Sequence, residues 1–226
     1  MIFVYEKNNK VNITFKDNKP VEFPEYTIAF DENKNLVIND EIFNPIEFTK
    51  LDSDLVNSAT VELTSELVVD LNGHTISCPN NPDGVAVYKV QEGGKLTING
   101  DGTVDGVSNN DYNIAVWARG GDITINGGYF TNKGADSEND PTHFDLIYAS
   151  AGGVVEINGG TFDAQTPKWT LNNLDSNPGK FIVKGGTFID YDPSNSQTEP
   201  EGAPNNFVAD GYKVIQEGNV YTVVKA

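Results

Sequence analysis

The stretch Gly120–Asn132, GGDITINGGYFTN, returns as GGKLTINGDGTVDG from Gly93 and GGVVEINGGTFDA from Gly152. It returns again as LNGHTIS from Leu71 and, in a worn copy, as PGKFIVKGGTFIDY from Pro178. Self-similarity at a fixed period marks a repeat architecture, and it is read before any single residue. If the apolar residue ahead of each Asn-Gly sets the register, the copies align at Leu71, Ile98, Ile125, Ile157 and Val183. The steps between them are 27, 27, 32 and 26 residues.

Within each copy the period is two. Lys95 to Asn99 and Asp122 to Asn126 alternate polar and apolar residues, which is the pattern of a strand with one buried face. A Gly pair or Asn-Gly closes each strand, because these residues accept positive φ cheaply. A second short strand follows at Thr103-Val104, Tyr129-Phe130, Thr161-Phe162 and Thr187-Phe188, and a third precedes the Gly pair in Val85–Val90, Ile114–Trp117 and Leu146–Ala149. Three strands in so few residues fall short of a propeller blade, which takes about 40 or more. Like-on-like stacking of coils predicts an all-β protein built on a short right-handed parallel β-helix of about five to six coils. Leu96, Ile98, Ile123, Ile125, Val155, Ile157, Phe130, Phe162 and Phe188 are expected to stack inward in columns. Asn72, Asn99, Asn126 and Asn158 are expected to form a column of turn amides, ending where Lys184 takes their place.

Residues 1–64 lack the repeat and carry short β-type runs among Asn, Asp, Lys and Pro, so they predict a separate N-terminal β-rich cap or attachment module. The helix is expected over 65–206. A hairpin over 207–226, Tyr212–Ile215 against Val220–Val224, is expected to close the open edge.

With a formal charge of −18 and 38% hydrophobic residues, the chain buries a real core but has little with which to neutralise phosphates. Direct nucleic-acid binding and adhesion to anionic membranes are therefore not expected. The acidic residues are scattered through loops as a solvated surface, which implies no cofactor yet leaves bound calcium compatible with the sequence. Cys78 is the sole cysteine, so an intrachain disulfide is excluded. The opening residues show no basic n-region, apolar core or cleavage site, and no run of 18 apolar residues occurs. This predicts a product of the cytoplasm without a signal peptide or membrane span.

The GGxLTINGGTF pattern at 93–102, 120–130, 152–162 and 179–188 resembles right-handed β-helix proteins of the pectate-lyase-like type. The ending Phe207-Val-Ala-Asp-Gly-Tyr-Lys-Val, with its Gly turn and Tyr-Thr-Val, resembles head-fibre and tail-appendage proteins of tailed gut bacteriophages, crAss-like phages among them. The resemblance implies a non-enzymatic virion structural protein. It further implies a homotrimeric rod, held to other virion proteins through residues 1–64 and meeting a host surface or its glycans with loops such as Asn132–Thr142 and Asp192–Asn206.

Two other classes compete with this reading. On this fold, a polysaccharide lyase uses clustered Asp residues and a basic side chain that abstracts a proton. Arg119, the only arginine, with Asp101, Asp105 and Asp122, is the candidate catalytic set. A hydrolase would need two carboxylates about 5–9 Å apart, for which Asp163 and Asp190 are one pair. An adhesin of a cell surface is the third class. His74 and His143 lie in a turn and a loop with no partner at metal-ligand spacing. Trp117 and Trp169 are candidates for stacking on a glycan or lining a subunit seam.

Overall fold

The computed structural model describes the backbones of the strands between residues 3 and 48 and, with side chains, residues 49–80, 86–109, 112–135, 144–173, 177–196 and 205–226. Two compact units divide the chain, residues 1–46 and 47–226. The first holds an antiparallel pair, Phe3–Lys7 with Lys10–Thr14, and an antiparallel meander of Val21–Phe23, Tyr26–Phe30, Leu36–Ile38 and Glu41–Phe43.

The second unit is a parallel β-solenoid. Its first sheet stacks Glu47–Lys50, Glu66–Asp70, Lys95–Asn99, Asp122–Ile125, Val154–Ile157 and Lys180–Val183. A second sheet stacks Leu55–Val56, Thr75–Ser77, Thr103–Asp105, Tyr129–Thr131, Thr161–Asp163 and Thr187–Ile189. The third contains Val61–Leu63, Ala86–Gln91, Ile114–Arg119, Ile147–Ser150 and Leu171–Asn173. Counted by the turns that this shortest sheet closes, the solenoid makes about four, slightly fewer than the coils expected, because the last copy contributes only two strands.

The solenoid begins earlier than the repeat suggests. Glu47–Lys50 pairs in parallel with Leu67–Asp70, Leu55–Val56 with Ile76-Ser77, and Val61–Leu63 with Tyr88–Val90. A complete first coil therefore lies within residues assigned from sequence to the N-terminal module. It lacks the Gly pair and the Asn-Gly, so nothing in its composition advertises it.

The inward columns form as expected. Leu96, Ile123 and Val155 are in register, as are Ile98, Ile125 and Ile157, and all six are fully or almost fully buried. Phe130, Phe162 and Phe188 stack face to face with ring centroids 5.2 and 4.8 Å apart. Burying each ring stabilises the fold by about 1.5–3 kcal/mol. From Lys95–Asn99 onward the coils settle this closely because the corner before each first-sheet strand is glycine: a Cβ on Gly153 would stand 2.5 Å from the Ala118 carbonyl oxygen beneath it.

The amide column forms with one member changed. The Asn126 amide donates to Asn99 Oδ1 at 2.8 Å, and the Asn158 amide donates to Asn126 Oδ1 at 3.0 Å. Asn72 is not in the column, because Val69 rather than Leu71 pairs with Ile98, and this sets Asp70 beside Asn99. Instead Asn72 turns the corner with φ 48° and donates its side-chain amide to the Leu51 carbonyl at 2.9 Å. The column ends where Lys184 ion-pairs with Glu156 at 2.7 Å.

Residues 207–226 close the far end. The hairpin of Tyr212–Glu217 and Val220–Lys225 adds to the second sheet antiparallel to Thr187–Ile189. The Phe207–Ala209 backbone exchanges hydrogen bonds with Val183 over the end of the first sheet.

Candidate functional site

The repeat consumes most polar residues that its own turns supply, so a site is sought where the side chains do not repeat. The outer face of the third sheet meets that condition. In this sheet the strand alternation turns Tyr88, Val90, Val116, Ala118, Ile147 and Ala149 into the core. The intervening positions run outward in a register-aligned row, Glu62, Lys89, Trp117, Tyr148 and Asn172. Two residues further along each strand, Gln91, Arg119 and Ser150 make a second row.

Trp117 is the centre of this face. Its ring lies 5.5 Å from that of Tyr148 at 47°. The Lys89 ammonium is 5.1 Å from the Trp117 ring centroid and the Arg119 guanidinium 5.6 Å, both within cation–π range. The indole N–H donates to Ser150 Oγ at 2.9 Å, which fixes the ring. Below it Lys89 ion-pairs with Glu62 at 2.8 Å, and Gln91 donates to the other oxygen of the same carboxylate at 2.9 Å. These bonds, that from Lys89 foremost, hold the Glu62 carboxyl below the ordinary glutamate range. Above, the row closes on buried Asn172, which donates to Asp145 Oδ1 at 2.9 Å. The result is a half-buried aromatic pair framed by two cations on a chain whose net charge is −18. Such a face suits a second protein surface better than water.

The candidate catalytic residues do not gather. Arg119 ends a third-sheet strand, and Asp122 opens the first-sheet strand just after it. Asp101 follows the opposite end of the neighbouring first-sheet strand: Lys95 is level with Asp122, and the four residues from Lys95 to Asn99 span about 13 Å. Asp105 closes the next second-sheet strand, where its carboxylate accepts the Val107 N–H at 3.0 Å. Arg119 is thus one corner away from Asp101 and Asp105. Among the described residues, no three His, Cys, Asp or Glu side chains group as a metal site.

The other expectations separate cleanly. Trp169 closes the short 3-10 turn Pro167–Trp169 and is 1% exposed, so it belongs to the core and offers no face to a glycan or a seam. Asp163 is one residue out of register with Asp190, since Phe162 stands level with Phe188 and leaves Asp163 beside Ile189. His74 lies 3.6 Å from Asp54 in the first corner. His143 lies outside the described residues, as do 136–142 and 197–204 of the two loops named above. Burial pushes the Cys78 thiol up. Among the described residues no helix is long and apolar enough to cross a membrane.

The partners of Trp117 on this face, Lys89, Tyr148, Glu62, Gln91 and Ser150, escape sequence reading because the third strands share no phrase. Their signal is slight: in AVYKVQ the fourth residue, Lys89, interrupts an apolar run, whereas in IAVWAR the fourth, Trp117, continues it.

Fold and site together define a three-sheet parallel β-solenoid with a capped end and one aromatic, cation-framed face. No known protein family, curated protein or solved structure matches this chain.

Proposed function

We propose that this chain is a non-enzymatic structural and adhesive protein, a homotrimeric β-solenoid rod of the kind carried by phage particles as head fibres or tail appendages. The observation that carries the reading is the Lys89–Trp117–Tyr148 face. It is aromatic, rigidly bonded from below and above, and independent of the repeat, so it suits a seam between three parallel rods. Residues 1–46, a unit of different architecture, serve as the attachment module, and the solenoid of residues 47–226 meets a host surface. Arg119 and Asp122 flank one corner while Asp101 and Asp105 lie at the other two, and this separation favours this reading over polysaccharide cleavage.

Light scattering tests it. The expected mass is three times 24.6 kDa, about 74 kDa. A stable monomer, or unsaturated product released from acidic polysaccharides in the presence of calcium, would overturn it.

A further inference from the structure

A second feature lies at the corner between the first and second sheets, across the coil from the third. A shallow cleft of about 460 Å³ opens there, lined by Asp101, Gly102, Asn126, Gly127, Gly128, Tyr129, Gly160 and Thr161. The lining comes from three successive coils, and the volume falls in the range of ligand sites, roughly 300–1,000 Å³.

One of these residues is out of pattern. The second-sheet column reads Thr75, Thr103, Tyr129, Thr161 and Thr187, and the tyrosine is its only large member. The glycines have a complete structural explanation, since each lies over the coil beneath. Tyr129 has none of that kind. It is 36% exposed, and its hydroxyl donates to Asp163 Oδ2 at 2.9 Å while Lys133 ion-pairs with Asp163 Oδ1 at 3.1 Å. Asp163 therefore pins the ring on the cleft wall and occupies the nearby cation. What remains at the cleft is an aromatic face, the Asp101 carboxylate, the Thr161 hydroxyl and a bare glycine floor, the Asn126 amide being spent on Asn99 and Asn158. No Lys or Arg lines it, so an anionic ligand meets only repulsion from Asp101 and the acidic chain.

From this chemistry we infer that the cleft binds a neutral saccharide, one pyranose face stacked on Tyr129 with vicinal hydroxyls donated to Asp101 and shared with Thr161. The inference gives a ligand to the adhesive reading and rests on it only in taking a glycan as partner. The cleft and the third-sheet face lie on opposite sides of the coil, so each can fail without the other.

The test titrates the intact chain with millimolar neutral oligosaccharides of glucose, mannose and N-acetylglucosamine, and with oligogalacturonate as the anionic probe. Calorimetry and saturation-transfer NMR report binding, and light scattering reports the assembly separately. At least one neutral series binds and oligogalacturonate does not. Tyr129→Thr, which restores the residue of the neighbouring coils and so spares the fold, weakens binding about tenfold. Asp101→Asn weakens it about threefold, and Thr187→Val, in the same column but outside the cleft, leaves it unchanged. Binding unaffected by Tyr129→Thr, a preference for oligogalacturonate, or no binding by any neutral series overturns the inference.

Discussion

The corner between the first and second sheets and the outer face of the third are built from the same coil and spend their polar groups differently. At the corner, Asn99, Asn126 and Asn158 bond to one another and Lys184 ends the row on Glu156, so each amide is committed to the coil above or below. On the third sheet, Trp117 and Tyr148 answer to no repeat, and their bonding partners differ from coil to coil. Where the pattern holds, side chains assemble the rod. Where it lapses, they are available to another molecule.

Substitutions can break this contrast, starting with the core on which both regions rest. Phe162→Ala removes the middle ring of a fully buried stack and should cost about 3–5 kcal/mol in denaturant unfolding. A loss below 1 kcal/mol would mean that the stack is not continuous. Gly153→Ala drives a methyl group against the Ala118 carbonyl oxygen and should cost about 1–3 kcal/mol. Asn126→Ala cuts two rungs of an exposed ladder, and about 1 kcal/mol is expected by the same measurement.

The smallest effect is electrostatic. The Lys184 ammonium, bonded to Glu156, holds that carboxyl below its ordinary value of 4.5. A depressed folded value means that the pair's contribution is complete above about pH 4.5 and is lost as pH falls through the lower folded value. Thermal melts over that acid window should therefore show a decline that Glu156→Gln reduces. An identical acid profile in the variant would place the linkage elsewhere.

Much of the solenoid was legible because its repeating groups are the ones that pack. Ile98, Ile125 and Ile157 marked the true register, and the phenylalanine column followed from it. Leu71 misled because Val69 and Leu71 are both apolar, both buried and two residues apart, so alternation admits either. Only the strand pairing selects Val69. The first coil stayed hidden because Glu47–Leu63 turns its corners without the Gly pair. Trp169 illustrates a different limit: outside a periodic segment nothing in the sequence says whether a large aromatic points in or out. At the candidate sites, Trp117 was visible as a residue but not as part of a face, because its partners come from strands about thirty residues apart. The odd tyrosine in GGYF stood in plain view and gained meaning only beside Asp163.

The central claim is that repeated polar residues build the rod and the unrepeated third-sheet face joins it to others. Light scattering on the unaltered chain, Asn126→Ala and Trp117→Ala tests this most directly. The account predicts about 74 kDa, three times 24.6 kDa, for the first two and a folded species of 24.6 kDa for Trp117→Ala. An unaltered chain that is monomeric, or a Trp117→Ala variant that keeps its mass while Asn126→Ala loses it, would contradict the account.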